Sequence, residues 1–370
     1  MKSEAVQMLS SAALFSSAFL IPLILVDEWG VPESAVGLVV AAYAAAVLAS
    51  SWAFGRLADV RGRRRVLQFG LLACVVASAL QFFARTPEAL TAVRIVMGIC
   101  AGTFPSALMA YVYESRGHVG KLTSFGAAGW VVGTLFGGYV AVYSLFAPFL
   151  LSTALFSMAF AISLVLKFPK EMRVRVPIFP VNVIKRNAAT YIPVLIRHSG
   201  ANMVWVIYAI FLSGINPDPM WIGMVYVINS GTQFVLMQLL DPYGGRRLLA
   251  IGLALSALTF LLFTRATSEW HVMAAQVVLA ASWSCTYVGA MKCILQGGVE
   301  RSTSSGLMDS TLSLSAIIGS ITGGVIASMF GHVATMFAAM LMSLAALAIF
   351  GALVINRASG VSIPSSGRAS

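Results

Sequence analysis

Few side chains in this sequence can do chemistry, and those few sit in apolar surroundings. Arg94 lies inside the apolar run 89–113, and the pair Arg197-His198 lies inside the run 190–213. A charge in such a run is costly and is usually kept where it faces a cavity or a partner. Arg94 is about two helical turns from Glu88. It either holds an anionic group or a hydrogen-bond network, or it snorkels to the nearby interface. Arg197-His198 lies either about two turns inside its run or near the basic interface. Carboxylates fall at the ends of runs, with Glu114 at one and Asp309 about one turn inside another. His198 is the histidine placed within a run, and a histidine or carboxylate is what proton exchange would need. There is no nucleotide-binding loop, no Ser-His-Asp arrangement and no cluster with metal-ligand spacing. The chemistry on offer is recognition and charge exchange, so neither an enzyme nor a cofactor or metal is expected.

The elements that carry these residues follow from composition. Of 370 residues, 59% are hydrophobic and 10% charged, against about 25% charged in a soluble domain. Lipid must therefore be the solvent. The net charge of +11 sits in short gaps between apolar runs, which argues for membrane-facing loops and against nucleic acid. A span needs roughly 20 apolar residues, and twelve runs qualify: about 7–26, 34–56, 65–84, 89–113, 119–141, 146–167, 190–213, 220–240, 247–264, 270–292, 304–330 and 333–356. They are too long and too uniformly apolar for barrel strands. The reading is an all-α membrane protein with a six-helix bundle at 1–167, a basic linker at 168–189, a second six-helix bundle at 190–356 and a tail at 357–370. Pro22 and Pro105 interrupt two of the runs, as static kinks or as hinges. Cys74, Cys100, Cys285 and Cys293 read as small apolar helix residues.

Lysine and arginine set the orientation. One set of loops holds Arg56, Arg61, Arg63, Arg64, Arg65, Arg116, Lys121, the linker cations, Arg246, Arg247, Lys292 and Arg301, whereas the other holds Arg85 and Arg265. Both termini are expected in the cytoplasm. The halves also repeat at an offset of 186 residues: Glu114 falls on Glu300, Gly120 on Gly306, and Gly133-Thr134-Leu135-Phe136-Gly137-Gly138 on Gly319-Ser320-Ile321-Thr322-Gly323-Gly324. With a slightly different offset, Asp59-Val60-Arg61-Gly62 matches Asp241-Pro242-Tyr243-Gly244. Parallel repeats of six helices suit alternating access around a central cavity.

Three motifs carry a family resemblance that extends over roughly 5–356. The loop Gly55-Arg56-Leu57-Ala58-Asp59-Val60-Arg61-Gly62-Arg63-Arg64-Arg65 resembles the signature loop of the major facilitator superfamily. Leu90-x-x-x-Arg94-x-x-Met97-Gly98-x-x-Ala101-Gly102 is similar to its second motif, with Met97 where glutamine is common. Gly120, Gly129, Gly133, Gly137 and Gly138 resemble the glycine ladder of its drug and metabolite antiporters, with Thr134 where the family usually has proline. Gly319, Gly323 and Gly324 repeat the ladder in the second half.

The resemblance implies a latch. Asp59 can sit against the positive N-terminal end of span eleven, with Gly55 permitting close helix approach, Gly62 a tight turn, and Arg61, Arg63 and Arg64 pairing with acids such as Glu114 and Asp309. It implies that the ladder joins the two bundles near span eight. It also implies a cavity lined by spans one, four, seven and ten, for which the candidates are Arg94, Arg197, His198, Asn202, Asn229, Gln233, Gln276, Trp283 and Tyr287, with Tyr43, Tyr111, Trp205 and Ser284 beside them. The expected function is secondary transport of a small organic solute across the cell membrane, by export and with protons as a candidate coupling ion, in a monomer. Uptake of a metabolite or organic anion, and a receptor or scaffold without transport, remain the alternatives.

Overall fold

The computed structural model describes residues 1–18, 20–168 and 173–359; linker residues 169–172 and the tail from 360 onward lie outside the described residues. The first half forms α1 (Lys2–Ala18), α2 (Ile21–Leu23), a π-helical turn Ile24–Glu28, α3 (Glu33–Arg61), α4 (Arg63–Phe83), α5 (Pro87–Ala101), α6 (Pro105–Arg116), α7 (Val119–Ala141) and α8 (Ala147–Leu164). The second forms α9 (Val181–Ser213), α10 (Pro219–Leu239), α11 (Gly245–Thr264), α12 (Glu269–Gln296) and α13 (Arg301–Ser359).

Local chemistry sets the breaks. Pro22 interrupts the first span, so α1 and α2 share one crossing. Pro105 lacks the amide that would continue α5, so α5 and α6 share another. Thr86 starts α5 by accepting a hydrogen bond from the Ala89 amide at 3.2 Å, with Pro87 in the first turn. Between α3 and α4 the turn is a single residue, Gly62, at φ 109°, a conformation a side chain would strain.

The long final segment is two spans. Gly331 has φ 82° and ψ 175°. A β-carbon on Gly319 or Gly323 would meet Ser199 and Met203 of α9, and one on Gly200 would meet Ala339 and Met342. In a straight helix Gly319 and Ala339 would be about 30 Å apart, yet both rest on the same turn of α9. The chain therefore reverses at Gly331, and the described residues make twelve crossings.

The twelve crossings form two six-helix bundles. In the first, α1 packs on α7 and α8, and α4 on α5 and α8; in the second, α9 packs on α13, α11 on α12 and α13, and α10 on α12. The bundles meet through α3 against α13 and α7 against α10, helices at equivalent places in the two repeats.

Two expectations change here. The segment after the linker is helical from Val181 rather than from about 190, because its first turns are held to α13: Arg186 pairs with Glu300 at 2.7 Å, and Asn187 donates to Ser304 Oγ at 3.3 Å. The glycine ladder joins the bundles at its first rung, Gly120, and not along the rest of its length. A β-carbon on Gly129, Gly133 or Gly137 would strike the α1 backbone at Met8, Ala12 or Ser16, as Gly319 and Gly323 pack on α9. Small residues let backbones approach, and the ladder uses this inside each bundle. Gly120 alone among these α7 positions contacts the second bundle, at Met237 and Asp241. Gly138 is half-buried, and a β-carbon on Gly324 would meet nothing within 4 Å.

Candidate functional site

The basic ends of the bundles are tied by two carboxylates at equivalent posts. Asp59, near the end of α3, is 1% exposed. It accepts from the Ser302 amide at 3.2 Å, the Thr303 amide at 2.7 Å and the Thr303 hydroxyl at 2.8 Å. The two amides are free donors of the first turn of α13, where partial positive charge collects. Asp241, just past α10, accepts from the Gly120 amide at 2.7 Å and the Lys121 amide at 3.1 Å, the first turn of α7.

Arginines brace the first cap. Arg63 donates to Asp59 at 3.0 Å, to Ser302 Oγ at 2.9 Å and to Glu114, and Arg301 reaches the other Glu114 oxygen at 2.6 Å. Gly55 lies against Ser302 and Gly306 where α3 crosses α13. The second cap is braced differently: Lys292 donates to the carbonyls of Leu240 at 3.1 Å, Asp241 at 2.5 Å and Tyr243 at 2.9 Å. Glu300, the repeat partner of Glu114, pairs with Arg186 instead. Partial burial works to raise its carboxyl, and the hydrogen bond and charge of Arg186 outweigh that, leaving it below the ordinary range. Arg61 and Arg64 are exposed on the basic face.

Further inside, between the bundles, lies a cavity of about 540 Å³, within the range of small-molecule sites. Seven of the expected residues line it: Arg197, His198, Trp205, Asn229, Gln233, Trp283 and Tyr287. His198 stacks on Trp283 with ring centroids 4.8 Å apart, and Trp283 leans on Tyr287 at 5.2 Å. Arg197 is held by Ser256 Oγ at 2.7 Å and Ser282 Oγ at 3.1 Å, with its guanidinium 5.4 Å from the centre of the Trp283 ring. Gln233 donates to Asn229 Oδ1 at 2.5 Å, and Asn229 donates to the Gln276 carbonyl at 3.4 Å.

Six expected residues lie elsewhere. Tyr111 packs on Phe168 with ring centroids 4.4 Å apart, Ser284 is buried outside the cavity lining, and Tyr43 lies with Arg94. Arg94 is buried within the first bundle, 4.2 Å from the centre of the Tyr43 ring and 3.3 Å from Gln81 Oε1. It neither reaches the cavity nor snorkels. Gln276 is fully buried behind Asn229 and donates to the Tyr208 hydroxyl. Asn202 donates to the His198 carbonyl at 2.8 Å and packs against Gly319. Asp309 is a correction of another kind: expected at the latch, it lines the cavity. One turn along α13 from Ser305, it faces inward, while the latch ends at Thr303.

The first bundle's share of the wall includes Gln7, Ser11, Phe15, Met109 and Trp130, which sequence reasoning missed. The signal for Gln7 and Ser11 was present: two polar side chains four apart in an apolar run, bonded to each other at 3.3 Å. Beyond Phe15 and Trp130, away from the basic face, an apolar cleft of about 690 Å³ separates α7 from α10. The cavity is thus closed by caps at the basic end and flanked by parted helices at the other.

Comparison with known proteins agrees with this geometry. A family model described as Major Facilitator Superfamily matches residues 5–218, more than half the chain. The tetracycline resistance protein, class E, of Escherichia coli is 24% identical over 312 residues, 76% of each chain. The human organic anion transporter MFSD10 superposes with a TM-score of 0.79 at 15% identity, covering 94% of this chain and 98% of that one. The Escherichia coli fucose:proton symporter FucP gives 0.77 at 14% identity, covering 95% and 97%.

Proposed function

Because the chain belongs to the major facilitator superfamily, and so is a multi-pass transporter of small solutes, we propose that it exports a small organic solute across the cell membrane by alternating access, as a monomer with both termini in the cytoplasm. The observation that carries this reading is a polar and aromatic cavity between two equivalent bundles, capped at one end by Asp59 and Asp241. The excess of Lys and Arg at the capped end supports a cytoplasmic placement. On that orientation the capped cytoplasmic side and the cleft between α7 and α10 fit an outward-facing state. Rocking the bundles breaks both caps, opens the cytoplasmic side and closes the cleft between α7 and α10.

Each cap couples closure to helix electrostatics. In the outward-facing state the carboxylates satisfy amides that would otherwise need water. In the inward-facing state water replaces them, so the two states lie close enough in energy for solute binding to shift the balance. The similarity over 76% of the chain to a protein named for tetracycline resistance supports export of an organic solute. Protons are the favoured coupling ion, with Asp309 and His198 the cavity groups able to gain and lose one. Uptake of an organic anion is the second reading, and Arg197 in the wall favours it.

The test is a ligand-stabilisation screen of the purified protein, followed by flux of each hit in oriented proteoliposomes under an imposed proton gradient. Exchange of solute against protons supports export. Uptake driven by the solute's own gradient and indifferent to protons supports the second reading. Tight binding with no flux in either direction would assign the chain to a receptor or scaffold.

A further inference from the structure

Among the described residues the cavity is lined by one arginine and one carboxylate, and neither has an ion-pair partner. Among the described residues Arg197 makes no ion pair; its partners are the hydroxyls of Ser256 and Ser282 and, weakly, His198 Nδ1 at 3.5 Å. A guanidinium has five N–H groups, so two remain for a ligand. Asp309 likewise pairs with no cation within 4.0 Å among the described residues. Among the described residues the first bundle contributes no charged residue to the wall.

A charge in a membrane interior without a partner is expensive, and the two here do not neutralise each other by contact. A lone anion would satisfy Arg197 and meet repulsion from Asp309, and a lone cation the reverse. A solute that carries both charges satisfies both groups. The distance to be bridged is set by the cavity, which as a sphere of about 540 Å³ would be roughly 10 Å across. The same wall carries the rings of His198, Trp283 and Tyr287, whose free edges and faces suit an aromatic body.

We propose that the solute is zwitterionic and aromatic, its anionic group on Arg197 and its cationic group on Asp309. This inference rests on the transport reading for its setting but concerns binding alone, so the two can fail separately.

The test uses two scaffolds of different size, tryptophan and the dipeptide Trp-Tyr. Each is offered free as a zwitterion, N-acetylated as an anion and C-amidated as a cation. Binding to the full chain in nanodiscs is measured by calorimetry at pH 7, and flux in proteoliposomes. For at least one scaffold the zwitterion should bind about tenfold or more tighter than either capped form. Asp309→Asn should erase its advantage over the N-acetyl form, and Arg197→Gln its advantage over the amide. Arg197→Lys, which keeps the charge and guards against a folding defect, should retain the preference. Equal binding of the three forms, no binding by either zwitterion, or a preference untouched by these substitutions overturns the proposal. If capped forms are carried without preference, transport stands and the charge assignment falls; if the zwitterion binds preferentially without flux, the assignment stands and transport falls.

Discussion

Asp59 and Asp241 are equivalent carboxylates that cap opposite bundles. Asp59 leaves the first bundle to close the first turn of α13 in the second, and Asp241 leaves the second bundle to close the first turn of α7 in the first. The exchange is reciprocal, so opening the basic face costs both caps at once.

Asp59→Asn and Asp241→Asn should each weaken the capped state, since loss of a side-chain acceptor at a helix N-terminus costs about 1 kcal/mol, with more from the lost charge. In a background with the four cysteines replaced by alanine, labelling of a Thr123→Cys probe from the basic face should rise severalfold, and transport should slow by about tenfold. Wild-type labelling and flux in both variants would show that the caps do not gate the cavity.

The two glycine ladders predict a sharp contrast. Gly133→Ala places a β-carbon against the Ala12 backbone and forces α1 away from α7, whereas Gly324→Ala meets nothing within 4 Å. Overpacking costs about 1 to 3 kcal/mol. Thermal unfolding in detergent should shift down by several degrees for Gly133→Ala and stay put for Gly324→Ala. Equal shifts would contradict the packing described.

Arg94→Met should act on stability and not on recognition. It removes the contact with Tyr43 and leaves buried Gln81 without its arginine, a loss of about 1 to 3 kcal/mol. The folded fraction should bind solute with the wild-type Kd. A changed substrate range would place Arg94 in the binding path after all.

Trp283→Ala should weaken binding of aromatic solutes by about threefold to tenfold, the usual worth of a ring contact, with Trp283→Phe intermediate. Because Trp283 also backs His198 and Arg197, the loss should be larger for solutes that carry an anionic group. An aliphatic solute of equal charge should lose less.

Sequence alone determined the number of crossings and pointed to Asp59 as a residue of the basic loop between the second and third. Hydropathy sums a transfer free energy along the chain, so long apolar runs declare themselves without knowledge of their neighbours. Asp59 was legible because a carboxylate and two glycines in a basic loop are not explained by charge bias; Asp241 showed only as its repeat match, and its hold on the first turn of α7 emerged from the structure.

Only the tertiary structure decided which face of each helix looks into the cavity. A helix apolar on all sides has no polar stripe to fix its rotation, so Arg94 and Arg197 read alike in sequence and part in space. Arg94 turns to Tyr43 inside its own bundle, and Arg197 turns to Trp283 and the cavity wall. The same rotation separates Glu114, which joins Arg63 and Arg301, from Asp309, which faces the solute path. The glycine ladder shows the limit most plainly: its spacing announces a close approach, but the partner beyond Gly120, α1 rather than the second bundle, is set by how six helices share one core.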